Sequence, residues 1–286
     1  MTPIAHIASA IVGRARRLAP LIVLVSWCLI PALAAKPPAV PLPDRPASAP
    51  VGSAFADQIK SLAPADREKR IGEEILKGNV PAHLRTFAEA AYTAADAGGK
   101  PHKVVLSVLP DYLAVGADDD FLRIPMTPQT AQAIADKLGC LLTTRKMTDE
   151  IYQAAKVKLK PQPMTQAREA VASFLEHQRM IEEQRKGKPA GELTAGHKKD
   201  VVITNRLKEK PGKVAIYGWH QPDGKAIQPL TTVHGDFYVD YSHGIRLVRE
   251  TMQIDGKERK VADILKDPAL APLLSDEGVI AEPRYR

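Results

Sequence analysis

Apolar residues recur near every 3.6 positions over Ala54–Leu62 and Asp66–Lys77, which predicts two amphipathic helices stopped by Gly78-Asn79. Pro81–Ala95 reads as a third helix, ended by Gly98-Gly99. The period then shortens. Lys103–Leu109, Tyr112–Val115 and Phe121–Ile124 form a small predicted β-meander, with turns at Pro110-Asp111 and over 116–120. Helices return at Pro128–Leu138 and Thr144–Ala155, with Thr127 and Thr144 as N-caps. After Pro161 and Pro163 a long polar helix is expected over Thr165–Lys186.

Beyond Gly187 the pattern becomes β, with strands expected at Asp200–Leu207, Lys213–Trp219, Phe237–Tyr241 and Gly244–Glu250. Thr251–Ile254 and Lys257–Val261 flank Asp255-Gly256, a two-residue hairpin signal. Val261–Leu274 closes with a helix. The prediction is an α+β fold: a helix-rich N-terminal half with a small meander, then a mostly antiparallel sheet.

The first residues read as targeting sequence rather than fold. Arg14, Arg16 and Arg17 precede an apolar run, Leu18 to Ile30, which is shorter than a bilayer-spanning helix. Pro31 and the box Ala32-Leu33-Ala34 complete a signal peptide over 1–34, so that no membrane segment remains after cleavage. Residues 35–53 are Pro- and Ala-rich and read as an extended tether. Residues 54–286 read as one α+β domain, helical over 54–186 and β-rich over 187–286. Removing three arginines and no acid lowers the formal charge from +7 to +4. That mild charge, without a like-charge block, excludes a nucleic-acid binder. Cys28 leaves with the leader, so Cys140 is alone and no intramolecular disulfide forms. Its neighbours Leu138, Leu141 and Leu142 mark it as a packing residue, not a nucleophile.

Chemistry concentrates at 196–248, which holds His197, His220, His234, His243 and the only Trp outside the leader, Trp219. Strand parity places Asn205, His220 and His243 as single polar interruptions on otherwise apolar faces. If those faces share a core, the three converge and need partners or a ligand. The opposite faces carry Asp200, Thr204 and Arg206, and Asp240, Ser242 and Arg246, with each Arg placed to fork onto Asp200 or Asp240. His243, His220, Asp240 and His197 are the acid/base candidates. Asn205, Arg246, Tyr241 and Trp219 are the substrate-binding candidates, with Arg246 as an anion clamp. His220, His234 and His243 form a candidate three-ligand site for a divalent metal such as zinc, although the HExxH motif is absent. His197-Lys198-Lys199 fits half of a phospholipase D signature, but Thr204 stands where that signature needs Asp. Asp118-Asp119-Asp120 lacks the spaced oxygens of a calcium loop.

Four strings, Ala-Gly-His-Lys-Lys-Asp-Val-Val (195–202), Tyr-Gly-Trp-His (217–220), Ile-Gln-Pro-Leu (227–230) and Asp-Tyr-Ser-His-Gly-Ile-Arg-Leu-Val (240–248), resemble those of a family of uncharacterised secreted bacterial proteins. The resemblance runs from Asn79-Val80-Pro81 to Ser275–Gly278. It implies export and one co-occurring unit from Asn79 onward, and carries over no catalytic residue. Two functions follow as expectations. The first is a hydrolase of a cell-envelope or extracellular polymer, acting through the His/Asp/Arg cluster. The second is a non-catalytic envelope protein, binding a polymer or small molecule, in which those residues form a buried polar network. A catalytic cluster must line a pocket, whereas a structural one is sealed.

Overall fold

The computed structural model describes residues 37–286. The expected signal peptide and its cleavage site lie outside the described residues. In chain order the first half contains α1 (Gly52–Ile59), α2 (Pro64–Leu76), β1 (Ala88–Ala95), β2 (Pro101–Val108), β3 (Ala114–Gly116), β4 (Phe121–Arg123), α3 (Pro128–Lys137), β5 (Cys140–Leu142), α4 (Arg145–Ala154), β6 (Val157–Lys158) and α5 (Val171–Arg185). The second half contains β7 (Thr194–Ala195), β8 (Lys199–Val201), α6 (Arg206–Glu209), β9 (Ile216–His220), β10 (Ala226–Thr231), β11 (His243–Gly244), β12 (Leu247–Ile254), β13 (Lys257–Lys260) and α7 (Val261–Lys266). The fold is α+β, with helices mostly in the first half.

The principal sheet runs β1-β2-β12-β13, antiparallel throughout, with β5 also paired to β12. The second sheet runs β10-β9-β8-β11, in which β8 and β11 are parallel. Helix α4 touches both sheets, through β1 and β9. One main apolar core reaches from Val40 to Tyr285 and takes residues from both halves. Among the described residues no helix is long and apolar enough to cross a membrane.

Several elements match their signals. Thr127 accepts from the Thr130 amide and Thr144 from the Met147 amide, as N-caps do. The Asp255-Gly256 hairpin joins β12 to β13, with Ile254 opposite Lys257. Other expectations are corrected. The expected helix over Pro81–Ala95 is a short 3-10 turn followed by β1. Alanine suits a helix by propensity and reads as apolar on either strand face, so Ala-Glu-Ala-Ala-Tyr-Thr-Ala-Ala hides its alternation. Eight paired positions with β2 override that preference. The meander also divides: β2 joins the principal sheet, while β3 and β4 form a separate two-stranded pair. Phe237–Tyr241 is turn and coil rather than strand.

The Pro- and Ala-rich stretch is not a free tether over 37–51. Ala39 bridges Thr86, and the Val40 amide donates to the Arg85 carbonyl at 2.9 Å. Arg45 donates to Asn79, Gly116, Ala49 and Pro50. A Cβ on Gly78 would meet the Pro43 carbonyl oxygen at 2.2 Å, and Gly78 has φ +86°, so only glycine admits the strap there. Proline forbids a helix but not a packed extended strand.

Candidate functional site

Strand β8 is an inner strand, flanked by β9 and β11, so both of its edges are paired. His197, Lys198, Lys199 and Asp200 are all buried, an unusual fate for four consecutive polar residues. Lys198 Nζ donates to the Tyr241 carbonyl, and the other three belong to three separate networks.

The first centres on Asp111. Arg123 forks onto both carboxylate oxygens at 3.1 and 2.7 Å, His197 Nε2 approaches at 3.0 Å and Arg185 at 3.4 Å. Burial by itself would raise the Asp111 pKa, but Arg123 and His197 hold it well below the usual carboxylate range. Burial outweighs Asp111 at His197 and lowers that ring to about 4. His197 is therefore a neutral imidazole whose Nε2–H donates to Asp111, with Nδ1 left unpartnered.

The second network pairs Asp200 with the Tyr112 hydroxyl, which donates at 2.8 Å. Burial lifts Asp200 to about 6 against the field of Arg246. Arg246 lies over the Tyr112 ring at 4.3 Å and donates to the carbonyls of Leu109 and Thr194 at 2.7 and 2.6 Å. Each of its terminal nitrogens thus donates to backbone rather than to Asp200 or Asp240.

The third network contains most of the expected site. Asp240 accepts from the Ser242 amide at 2.8 Å and hydroxyl at 2.5 Å, from Arg168 at 2.6 Å and from Tyr238 at 3.2 Å. Burial would raise Asp240, but the His243 ring and the two Ser242 hydrogen bonds bring it to about 2. His243 sits opposite Lys199 in the parallel β11–β8 pair, 4.0 Å from Asp240, and burial lowers it to about 4. Lys199 Nζ lies over the Trp219 ring at 4.9 Å, and burial lowers its pKa despite Asp240. Tyr241 packs edge-on against His177 at 4.8 Å, and burial takes His177 to about 2.

This third group is incompletely satisfied. Among the described residues, both ring nitrogens of His243, both of His177 and the Trp219 indole nitrogen are buried without a hydrogen-bond partner. Lys199 forms no ion pair among the described residues, although only 7 % of the residue is exposed. Trp219 also has φ 58°, a left-handed backbone costing about 1–2 kcal/mol in a bulky residue. The segment 160–170 is tied to this group through Tyr241 and Asp240. Tyr241 binds it through the Met164 amide and carbonyl at 2.5 and 2.9 Å and through the Arg168 carbonyl at 3.0 Å.

The three interruptions read from strand parity do not share partners. Gly218 and Trp219 both have positive φ, which breaks the alternation of β9. His220 consequently meets Asp149 at 2.8 Å, in company with the Tyr217 hydroxyl, and stacks on Tyr152 at 4.5 Å. Asn205 begins a helical turn instead of continuing a strand, and its amide donates to the Val279 carbonyl at 2.8 Å. His234 stacks on Tyr238 at 4.1 Å. Among the described residues no three His, Cys, Asp or Glu side chains are placed to share a metal ion. The proposed His220, His234, His243 ligand set therefore does not assemble.

Sequence reading missed Lys199, His177, Arg168, Asp111 and Asp149 as members of these networks. His177 left a signal: it shares the apolar helical spacing of Phe174 and Ile181, where a His is conspicuous. The chain matches no protein family, no curated protein and no solved structure.

Proposed function

We propose that the chain is an exported, non-catalytic binding protein that takes the anionic group of a small molecule onto the Lys199–Trp219–His177–His243 group. The observation that carries this reading is the donor surplus there. One unpaired ammonium and three unpartnered ring N–H groups, one on each neutral imidazole and one on the indole, stand near a single carboxylate among the described residues, and Asp240 is already saturated by Ser242, Arg168 and Tyr238. A carboxylate or phosphate supplies the missing acceptors. Neutral imidazoles and an indole N–H donate to it, and the low-dielectric surroundings strengthen each bond.

Hydrolysis fits less well. His243 Nε2 stands 4.0 Å from Asp240, and neither His243 ring nitrogen has a hydrogen-bond partner among the described residues, so no carboxylate orients it as a base. A general base that no third group orients is poorly placed to take a proton. Export is supported by the leader read at 1–34.

The test is titration of the purified protein with inorganic phosphate and acetate, followed by Trp219 fluorescence. We expect a saturable change with wild type and none with Lys199→Met. In the absence of ligand, Lys199→Met is expected to unfold at a higher temperature, because it removes an unpaired, largely buried cation. A variant that is less stable than wild type, with no anion response in either protein, returns the group to a structural role.

A further inference from the structure

A second site lies apart from the buried group. Asn205, Lys208, Lys210, Lys213 and Tyr285 border a cleft of about 390 Å³, large enough for a small ligand or a short polymer segment. Its charge is unbalanced. Of the other charged residues at its edge, Arg284 pairs with Asp136 and Arg286 with Glu282, while Asp236 accepts from the neutral Gln129 and keeps its charge, so three lysines face one carboxylate. Lys208, Lys210 and Lys213 form no ion pair among the described residues, and Lys213 Nζ reaches only the Val233 carbonyl at 3.0 Å.

Two further features narrow the ligand. The Asn205 amide is oriented by its Nδ2–H bond to Val279, which leaves Oδ1 buried, unpartnered and in need of a donor. Phe237 is 79 % exposed, and its ring folds over Gly235, whose backbone bridges Lys213 at the cleft edge. Lysines call for negative charge, an amide oxygen calls for a hydroxyl, and an exposed aromatic ring calls for a flat apolar face. An acidic sugar offers all three: a carboxylate, hydroxyl donors and the C–H face of a pyranose ring.

We infer that this cleft binds a segment of a uronic-acid-containing polysaccharide. Lys208, Lys210 and Lys213 meet the carboxylates, Asn205 Oδ1 accepts from a ring hydroxyl, and Phe237 underlies a sugar face. No bond is made or broken in this binding.

The experiment is calorimetric titration of the full chain with polygalacturonate, neutral dextran and inorganic polyphosphate. Polygalacturonate is expected to bind and dextran is not. Lys208→Ala/Lys210→Ala should weaken polygalacturonate binding about tenfold, and the exposed Phe237→Ala about fivefold. Lys257→Ala/Lys260→Ala, which removes the same charge from exposed β13, should leave binding unchanged. Absence of binding to polygalacturonate overturns the inference. So does an equal loss in the β13 variant, which would mark non-specific attraction. Polyphosphate binding as tight as polygalacturonate, with no effect of Phe237→Ala, overturns the sugar assignment.

Discussion

Asp111→Asn isolates the energetics of the buried core most cleanly. The substitution keeps the side chain's shape and removes one charge. In the native protein that charge is shared by Arg123 and Arg185, which are 1 % and 7 % exposed. The asparagine leaves both guanidinium groups without their buried counter-ion and turns an amide NH₂ toward one of them. Breaking a buried pair in this way costs about 3–5 kcal/mol. Glu182 still reaches Arg123 at 2.6 Å, but it is 41 % exposed and compensates only partly, so the lower end applies. For a folded unit of this size, ~3 kcal/mol corresponds to a fall in melting temperature of about 6–12 °C. Urea titration at pH 7, followed by circular dichroism, gives the number directly. A companion variant, Asp111→Leu/Arg123→Met, removes both the charge and its main partner, and should recover part of the loss. The pH dependence has a fixed sign. Asp111 ionises below its unfolded value, so its contribution is present above about pH 4 and disappears as pH falls through the folded pKa. Asp111→Asn should therefore flatten the acid limb of the stability profile. A single mutant within 1 kcal/mol of wild type, or a double mutant as unstable as the single, refutes the reasoning, because neither fits an uncompensated buried cation.

Three further outcomes are expected. His177, His197 and His243 titrate near 2, 4 and 4, below an unfolded value near 6.5, so stability falls as pH drops from about 6.5 toward 4. Asp200, raised to about 6, opposes one of these protons, leaving from these groups a net slope near two protons, on the order of 3 kcal/mol per pH unit at pH 5; a flat urea midpoint between pH 6 and 4.5 contradicts this. The Cys140 thiol is 5 % exposed and pushed up to about 12 by burial, so a bulky disulfide reagent should label the native protein no faster than global opening allows. Cys140→Ala should be milder than Cys140→Ser, which buries a hydroxyl. Deleting residues 37–50 should destabilise the fold by about 2 kcal/mol or more, since Val40 is buried and Arg45 binds four partners, whereas a loose tether would be lost at no cost.

Local chemistry was legible along the chain wherever the deciding physics is local. A Thr N-cap acts on an amide three residues away, and Asp255-Gly256 selects its own turn geometry, so α3, α4 and the β12–β13 hairpin followed from sequence. The segment 197–246 also announced itself, because polar residues at apolar positions demand compensation wherever they fold. Which group compensates which was a tertiary decision. Strand parity assumes unbroken alternation, and two consecutive positive φ angles at Gly218 and Trp219 cancelled it, sending His220 to Asp149 and Trp219 to Lys199. Asn205 left its strand for a helical turn and came to border a cleft. Ala88–Ala95 became a strand because its pairing with β2 outweighs alanine's weak helical preference. Propensities are worth tenths of a kcal/mol per residue, while a sheet ladder and a buried face are worth several. The chain could therefore mark its polar positions, and only the packed fold could choose their partners.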